Sequence, residues 1–518
     1  MTTPMDAELP DWLSRAMEGR RGDLLALLAG APLTFAFAPF GWFVVAIATL
    51  VVLYASWLAQ TPRRAAWRGF LFGAAGFLGG TYWLYISLHE FGEAPLFIAI
   101  PMMLGLVAVM ASYFALAGWL ARRLHRLAGD SPALGLLALM PGALVLTEWL
   151  RGWVATGFPW FAWGYTQTDA PLIGWGPVVG VLGVSLAVTL SAGAALLVLV
   201  GTGWWRRGLA LAVLLGLWLG GAGLQGIEWS QPRGAPLDVG VVQGGISQDL
   251  KWQADQLPKT KALYRGLTDE HWDADLLVWP EAAIPALANR ERDYFAGLFK
   301  AARDRNTGLL IGAIQAKGPR DDRRYYNSVF GVNRLGVTEY HKRHLVPFGE
   351  YFPVPSFVRR WMKSLNLPYS DFESGPAGQA PLQVAGQRVG VSICYEDVFG
   401  SELRAMLPAA SFLVNVSNDA WFGGSVAPHQ HLQIARMRAI EVARPMVRST
   451  NSGISAYIQH DGALGSVTGL FDAVVLRGQV QPREGTTPYV RWGDWPTLGL
   501  SLAMLLAAPL MGWRLRRA

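Results

Sequence analysis

Apolar runs long enough to cross a bilayer recur through the first 225 residues, and no other feature of this sequence limits its fold as strongly. A span takes about 20 mainly apolar residues. Helices are therefore expected at about 24–40, 42–60, 69–88, 94–120, 132–150, 174–200 and 207–225, with a last one at 495–513. Pro32 and Pro39 interrupt the first. Residues 1–20 are polar and carry no signal-peptide cleavage pattern, so that helix is expected to be retained. Arginines set the orientation. Arg15, Arg20 and Arg21 precede the first helix, Arg63, Arg64 and Arg68 follow the second, and Arg122, Arg123 and Arg126 follow the fourth. Arg206 and Arg207 follow the sixth, and Arg514, Arg516 and Arg517 follow the eighth, whereas the alternate short loops hold only Arg151. Short loops rich in arginine stay cytoplasmic. Eight helices then put both termini in the cytoplasm and the long segment 226–493 on the opposite face, in a bacterium the periplasm. The expected division is residues 1–225 as membrane helices one to seven, 226–493 as an extramembrane catalytic domain, and 494–518 as the last helix and its tail.

The net charge of +7 does not signal nucleic acid. Every lysine falls between Lys251 and Lys363, and the basic residues of the first 225 positions are small arginine clusters between apolar runs. That is the pattern of membrane loops, not of a basic groove. From about 226 the texture changes to short β-rich runs, Leu237–Gln243, Leu276–Trp279, Leu309–Ile314, Ser328–Val332, Val389–Cys394, Phe412–Val416 and Ile454–Ile458. Helical stretches such as 290–305 and 429–442 lie between several of them. Strands alternating with helices imply an α/β domain. The absence of GxGxxG, P-loop and GxSxG sequences removes the usual nucleotide and serine-hydrolase readings.

Cys394 is the single cysteine, which excludes an intramolecular disulfide and a Cys-rich metal site. An unpaired thiol is a liability in an oxidising compartment, and Cys394 ends an apolar run that opens at once into Tyr395, Glu396 and Asp397. A strand end opening into a loop is where an enzyme displays a nucleophile. Only the thiolate attacks, so such a cysteine needs a cation to lower its pKa and a carboxylate to move protons. Glu281 closes the strand Leu276–Trp279 after Pro280, and Lys342 sits in a charged cluster that abuts a Pro/Gly turn, Pro347-Phe348-Gly349-Glu350. Each alone reads more readily as a surface charge.

Taken in order, Trp279-Pro280-Glu281, Lys342-Arg343-His344-Leu345-Val346-Pro347-Phe348-Gly349-Glu350 and Ile393-Cys394-Tyr395-Glu396 resemble the Glu-Lys-Cys constellation of the nitrilase superfamily. Val416-Ser417-Asn418-Asp419-Ala420-Trp421-Phe422-Gly423 and the run His429 to Arg436 add to the likeness. With membrane helices on both sides, the chain resembles the bacterial apolipoprotein N-acyltransferases over essentially its full length. The resemblance implies an α-β-β-α sandwich carried by a multi-pass α-helical membrane protein. It implies transfer of a fatty acyl chain from a membrane phospholipid, through a cysteine thioester, to the α-amine of the diacylglyceryl-cysteine of an apolipoprotein. Catalytic roles are expected for Glu281, Lys342 and Cys394, with no cofactor and no metal. Glu350 matches a second family carboxylate that is expected to orient Lys342 or to share the proton with Glu281, and Tyr395 and Glu396 are expected to support the nucleophile.

Other residues are open to two readings. Trp252 matches a family tryptophan that could line a lipid pocket, or it belongs to the core. Glu148 and Arg151, spaced i, i+3 near a helix end, are candidates to pair with each other or to hold a headgroup. Trp153, Phe158, Trp160, Phe161, Trp163 and Tyr165 form an aromatic stretch, read either as an interface belt or as a floor for lipid entry. Residues 352–372 read as an amphipathic arm dipping into headgroups or as a helix on the sandwich. His429 and His431 diverge at i, i+2 and lack the further ligands of a tetrahedral metal site. The rival functions are a membrane-tethered amidohydrolase acting on a small amide, and a transport or scaffold protein with a dead enzyme domain.

Overall fold

The computed structural model describes residues 10–201, 203–319, 323–351 and 372–515; the expected arm at 352–372 falls almost wholly outside them. The chain forms two compact units. One joins the residues up to Glu228 with those from Arg491 onward, and the other is Trp229–Val490.

The first unit is helical. Leu96–Leu127, Pro132–Arg151, Pro171–Val200 and Trp204–Leu224 are long and apolar enough to cross a membrane. Pro62–Gly80 and Trp83–Glu90 would make a fifth span if their 57° bend is counted as one broken crossing. Of the remaining expected spans, the last is the 21-residue helix Trp495–Leu515, and the first two are helical but shorter. Phe43–Trp57 has 15 residues, or about 22 Å at 1.5 Å per residue, below the roughly 30 Å of a hydrocarbon core. Gly19–Gly30 tightens into a 3₁₀ turn at Ala31–Ala36, where Pro32 removes a backbone donor. Two of the arginines that set the sequence-based orientation are spent inside the unit. Arg68 and Arg122 are fully buried, paired with Asp23 at 3.0 Å and Asp130 at 3.0 Å. The aromatic stretch also turns inward. Trp160, Phe161, Trp163 and Tyr165 are buried, with Phe161 stacked on Phe37, and only Trp153 is largely exposed.

The second unit is built on two six-stranded sheets. In the first, Leu237–Gln243, Leu276–Trp279 and Gly308–Lys317 run parallel, flanked by antiparallel Val474–Val480 on one side and by Arg324–Asn333 and Gly336–His341 on the other. In the second, Gln387–Ile393, Phe412–Ser417 and Met446–Thr450 are parallel, with antiparallel Leu382–Val384 and Ala456–Ile458 beside them and Leu464–Val467 at the edge. Parallel strands are buried on both faces, and Leu276–Trp279 and Phe412–Ser417 are buried at every residue. One core cluster holds Val239, Val278 and Leu310 of the first sheet together with Val391, Val414 and Val447 of the second, so the sheets pack face to face. Helices Leu257–Asp269 and Arg292–Arg305 cover the outer face of the first sheet through Tyr264, Phe295 and Leu298. Helix Ala427–Val442 packs through Leu432, Ala435 and Ala439. The result is an α-β-β-α sandwich whose parallel strands deliver their C-terminal ends to one place.

Candidate active site

Pro280 lacks an N–H and ends the strand Leu276–Trp279. Glu281 follows, 8% exposed. Its Oε1 accepts a 2.7 Å hydrogen bond from Asn327 Nδ2. The same amide donates to Glu350 Oε1 at 3.0 Å, so one side chain on the strand Arg324–Asn333 holds both carboxylates. Lys342 leaves the strand Gly336–His341 with its backbone N–H on Asn327 O at 2.8 Å. Its side chain is 1% exposed. The ammonium lies 2.8 Å from Glu350 Oε2 and 3.5 Å from Glu281 Oε1. Burial works against that charge, but Glu350, Glu281 and Cys394 outweigh it and raise the pKa above the ordinary lysine value.

Cys394 ends the strand Gln387–Ile393 at φ +51°, in left-handed space that a side chain rarely enters. A residue kept there needs surroundings that fix it, and Glu396 provides them. Its carboxylate, 1% exposed, accepts from the N–H of Ile393 at 2.7 Å, of Arg343 at 2.6 Å and of His344 at 3.3 Å, and from Tyr340 Oη at 3.0 Å. One carboxylate thus ties the Cys394 turn to the segment that carries Lys342. Burial raises the pKa of Glu396 to about 7, against the pull of those backbone donors. Burial also pushes the Cys394 thiol up, the charge of Glu281 adds to the push, and Lys342 opposes it.

Behind Cys394 lies a buried ionic lattice that the sequence does not reveal. Arg448 reaches Asp397 at 3.1 Å, Asp419 at 2.9 Å and Asn415 Oδ1 at 2.7 Å. His431 sits between Asp397 at 2.8 Å and Asp419 at 3.0 Å. Burial and Arg448 disfavour a charged imidazole, but the two aspartates win and raise its pKa to about 9. Asn415 donates to Cys394 O at 3.3 Å, and Ser417 Oγ donates to Asp419 at 2.8 Å. His431 is therefore an ion-pair member.

Tyr395 is half-buried, its ring edge-on to Phe399 and His344. Trp252, 51% exposed, is not a core residue, and the lysine before it, Lys251, is buried with Nζ 3.3 Å from Glu281 O. Glu148 and Arg151 lie in the other unit, both buried. Glu148 accepts from Trp163 N at 3.1 Å, while Arg151 donates to Phe158 O at 2.9 Å and to Trp160 O. Both hold the aromatic stretch in place.

The chain matches two protein families in succession. Residues 29–194 match the apolipoprotein N-acyltransferase N-terminal domain, and residues 238–486 match carbon-nitrogen hydrolase. Similar curated proteins span almost all of it. The apolipoprotein N-acyltransferase of Methylococcus capsulatus is 41% identical over 92% of this chain and 94% of its own. That of Azotobacter vinelandii is 42% identical over 98% and 96%, and that of Nitrosomonas europaea 42% over 95% and 98%.

Proposed function

The chain belongs to the apolipoprotein N-acyltransferase family, and from that premise we propose how its residues carry out the reaction. It is a bacterial membrane enzyme that N-acylates lipoproteins during their maturation. The acyl donor is a phospholipid of the inner membrane, and the acceptor is the α-amine of a diacylglyceryl-cysteine, both met on the periplasmic side.

Glu281 takes the proton from Cys394 Sγ as the sulfur attacks the ester carbonyl of the phospholipid. The C–S bond forms and the carbonyl oxygen becomes an oxyanion beside the Lys342 ammonium, with the Tyr395 backbone N–H as second donor. Preorganised donors of this kind supply much of the rate in acyl transfer. The tetrahedral species collapses, the C–O bond breaks, and Glu281 returns its proton to the departing lysophospholipid oxygen. The second half repeats the cycle. A neutral α-amine attacks the thioester, Glu281 takes an amine proton, and Cys394 leaves as the thiolate and recovers that proton. One carboxylate acting as base and then acid is what two acyl transfers in series require. Glu350 keeps Lys342 charged and in place, and Glu396 keeps the Cys394 turn against the lysine segment.

The observation that supports this most is Lys342, fully buried between Glu281 and Glu350 and in electrostatic range of Cys394. The match of residues 29–194 to the apolipoprotein N-acyltransferase N-terminal domain favours an amine acceptor over the water of a small-amide hydrolase. The test is incubation of the purified protein with phospholipid and a diacylglyceryl lipopeptide. A lipopeptide heavier by one acyl group, with lysophospholipid in equal amount and both lost in Cys394→Ala, is expected. Hydrolysis of small amides without lipopeptide acylation would favour the rival.

A further inference from the structure

We propose that Lys251 is a second active-site cation, a positioning residue whose ammonium offsets the carboxylates around Cys394 so that the thiol can ionise. This rests on the reading of Cys394 as the nucleophile.

The short helix Gln248–Lys251 follows the strand Leu237–Gln243 and turns Lys251 into the protein, 1% exposed, while Asp249 on the same helix is exposed. Among the described residues the ammonium makes one hydrogen bond, to the backbone oxygen of Glu281 at 3.3 Å. A neutral carbonyl takes one of three N–H groups. No carboxylate contacts it at ion-pair distance among the described residues, and a charge buried that way is a cost to the fold. The charge is kept close to the chemistry, because Glu281 and Cys394 are the ionisable groups that act on it.

Counting charges shows what it does there. Glu281 and Glu350 bring two negative charges to the pocket and Lys342 one positive. Burial is the main reason the pKa of the Cys394 thiol is raised, and the charge of Glu281 adds to it. Lys251 restores neutrality and leaves Lys342 free to answer the oxyanion. Burial lowers the pKa of Lys251 to about 8, with Glu281 and Cys394 pulling it back up. It is therefore charged at neutral pH.

Cys394 is the only cysteine, so alkylation by iodoacetamide reports on it alone. The experiment follows alkylation rate against pH, and thermal melting, for the full-length wild type, Lys251→Met, Lys251→Gln and Lys342→Met in detergent. A neighbouring charge moves a pKa by about one unit or more. Both Lys251 variants should therefore alkylate about tenfold slower at pH 7, where Lys251 is charged, with the profile displaced to higher pH. Both should melt at or above the wild-type temperature, because burial costs the Lys251 charge more than Glu281 and Cys394 return. If Lys342→Met displaces the profile and the Lys251 variants do not, the Lys251 proposal fails and the nucleophile reading stands. Unchanged profiles in all three variants would overturn both. Melting several degrees lower in both Lys251 variants, or failure of both to fold, would make Lys251 a structural residue and refute the proposal.

Discussion

Replacing Glu396 by alanine tests how the nucleophile turn is held, and the structure gives both a size and a sign. The side chain is the acceptor for four donors. Two of them belong to fully enclosed groups, the Ile393 N–H and the Tyr340 hydroxyl, and a stranded buried donor costs about 1–3 kcal/mol. The Arg343 and His344 N–H groups lie nearer solvent and count for less. The gross loss is then about 2–6 kcal/mol. Against it stands the burial of the carboxylate, which raises its pKa from 4.5 to about 7 in the folded protein. At 1.36 kcal/mol per unit that is about 3 kcal/mol. A folded pKa above the unfolded one means that the wild type loses stability as pH rises from 4.5 through 7. Alanine does not titrate. The deficit of Glu396→Ala should therefore be largest below pH 4.5 and shrink by about 3 kcal/mol above pH 7. Melting followed by tryptophan fluorescence at pH 4.5 and pH 8, with wild type beside the variant, reads this directly. Acyl transfer should fall sharply at either pH, since the Cys394 turn is no longer tied to the Lys342 segment. A deficit that grows with pH would refute the reasoning, because the backbone donors would then outweigh desolvation and favour the ionised form.

Three further outcomes follow from the geometry. Lys342→Met should reduce acyl transfer by more than the 10²–10³, on the order of magnitude, that one lost oxyanion donor costs; Lys342→Arg should fail nearly as badly, because a planar guanidinium does not fit a slot shaped around an ammonium, and a near-normal rate in either variant would remove Lys342 from the chemistry. Asn327→Leu should uncouple Glu281 from Glu350 and lower the turnover number more than it raises KM for phospholipid, and a change in KM alone would restrict Asn327 to binding. In intact spheroplasts a membrane-impermeant maleimide should label Cys394, and labelling only after lysis would reverse the orientation read from the arginines.

The sandwich was legible where strands are apolar throughout, as at Leu276–Trp279 and Phe412–Ser417, because burial on both faces writes itself into composition. Gly336–His341 escaped because its side chains alternate between burial and solvent, and Met446–Thr450 because Arg448, Ser449 and Thr450 read as loop. Arg448 is buried because Asp397 and Asp419, distant in sequence, pair with it, and no local pattern records such partners. Glu281, Lys342, Glu350 and Cys394 stood out because each closes or follows a recognisable strand or turn. Asn327 lies inside a strand with no such marker, and Lys251 was overshadowed by Trp252 beside it. A lysine next to an exposed tryptophan shows its inward direction only when the strand Leu237–Gln243 has been placed against Leu276–Trp279. Glu148 and Arg151 show another limit. Their spacing left pairing with each other and a headgroup site both open, and it gave no sign of the backbone groups of residues 158–163 that both bond in the structure.

The central claim is that Cys394 carries the acyl group between donor and acceptor. Mass spectrometry of the purified protein after exposure to phospholipid without acceptor should find one acyl chain on the peptide containing Cys394, labile to hydroxylamine as a thioester is. Adding a diacylglyceryl lipopeptide should clear that adduct and yield the N-acylated product, and Glu281→Gln should form no adduct. Full acyl transfer with Cys394 never acylated, or transfer surviving in Cys394→Ala, would contradict the account.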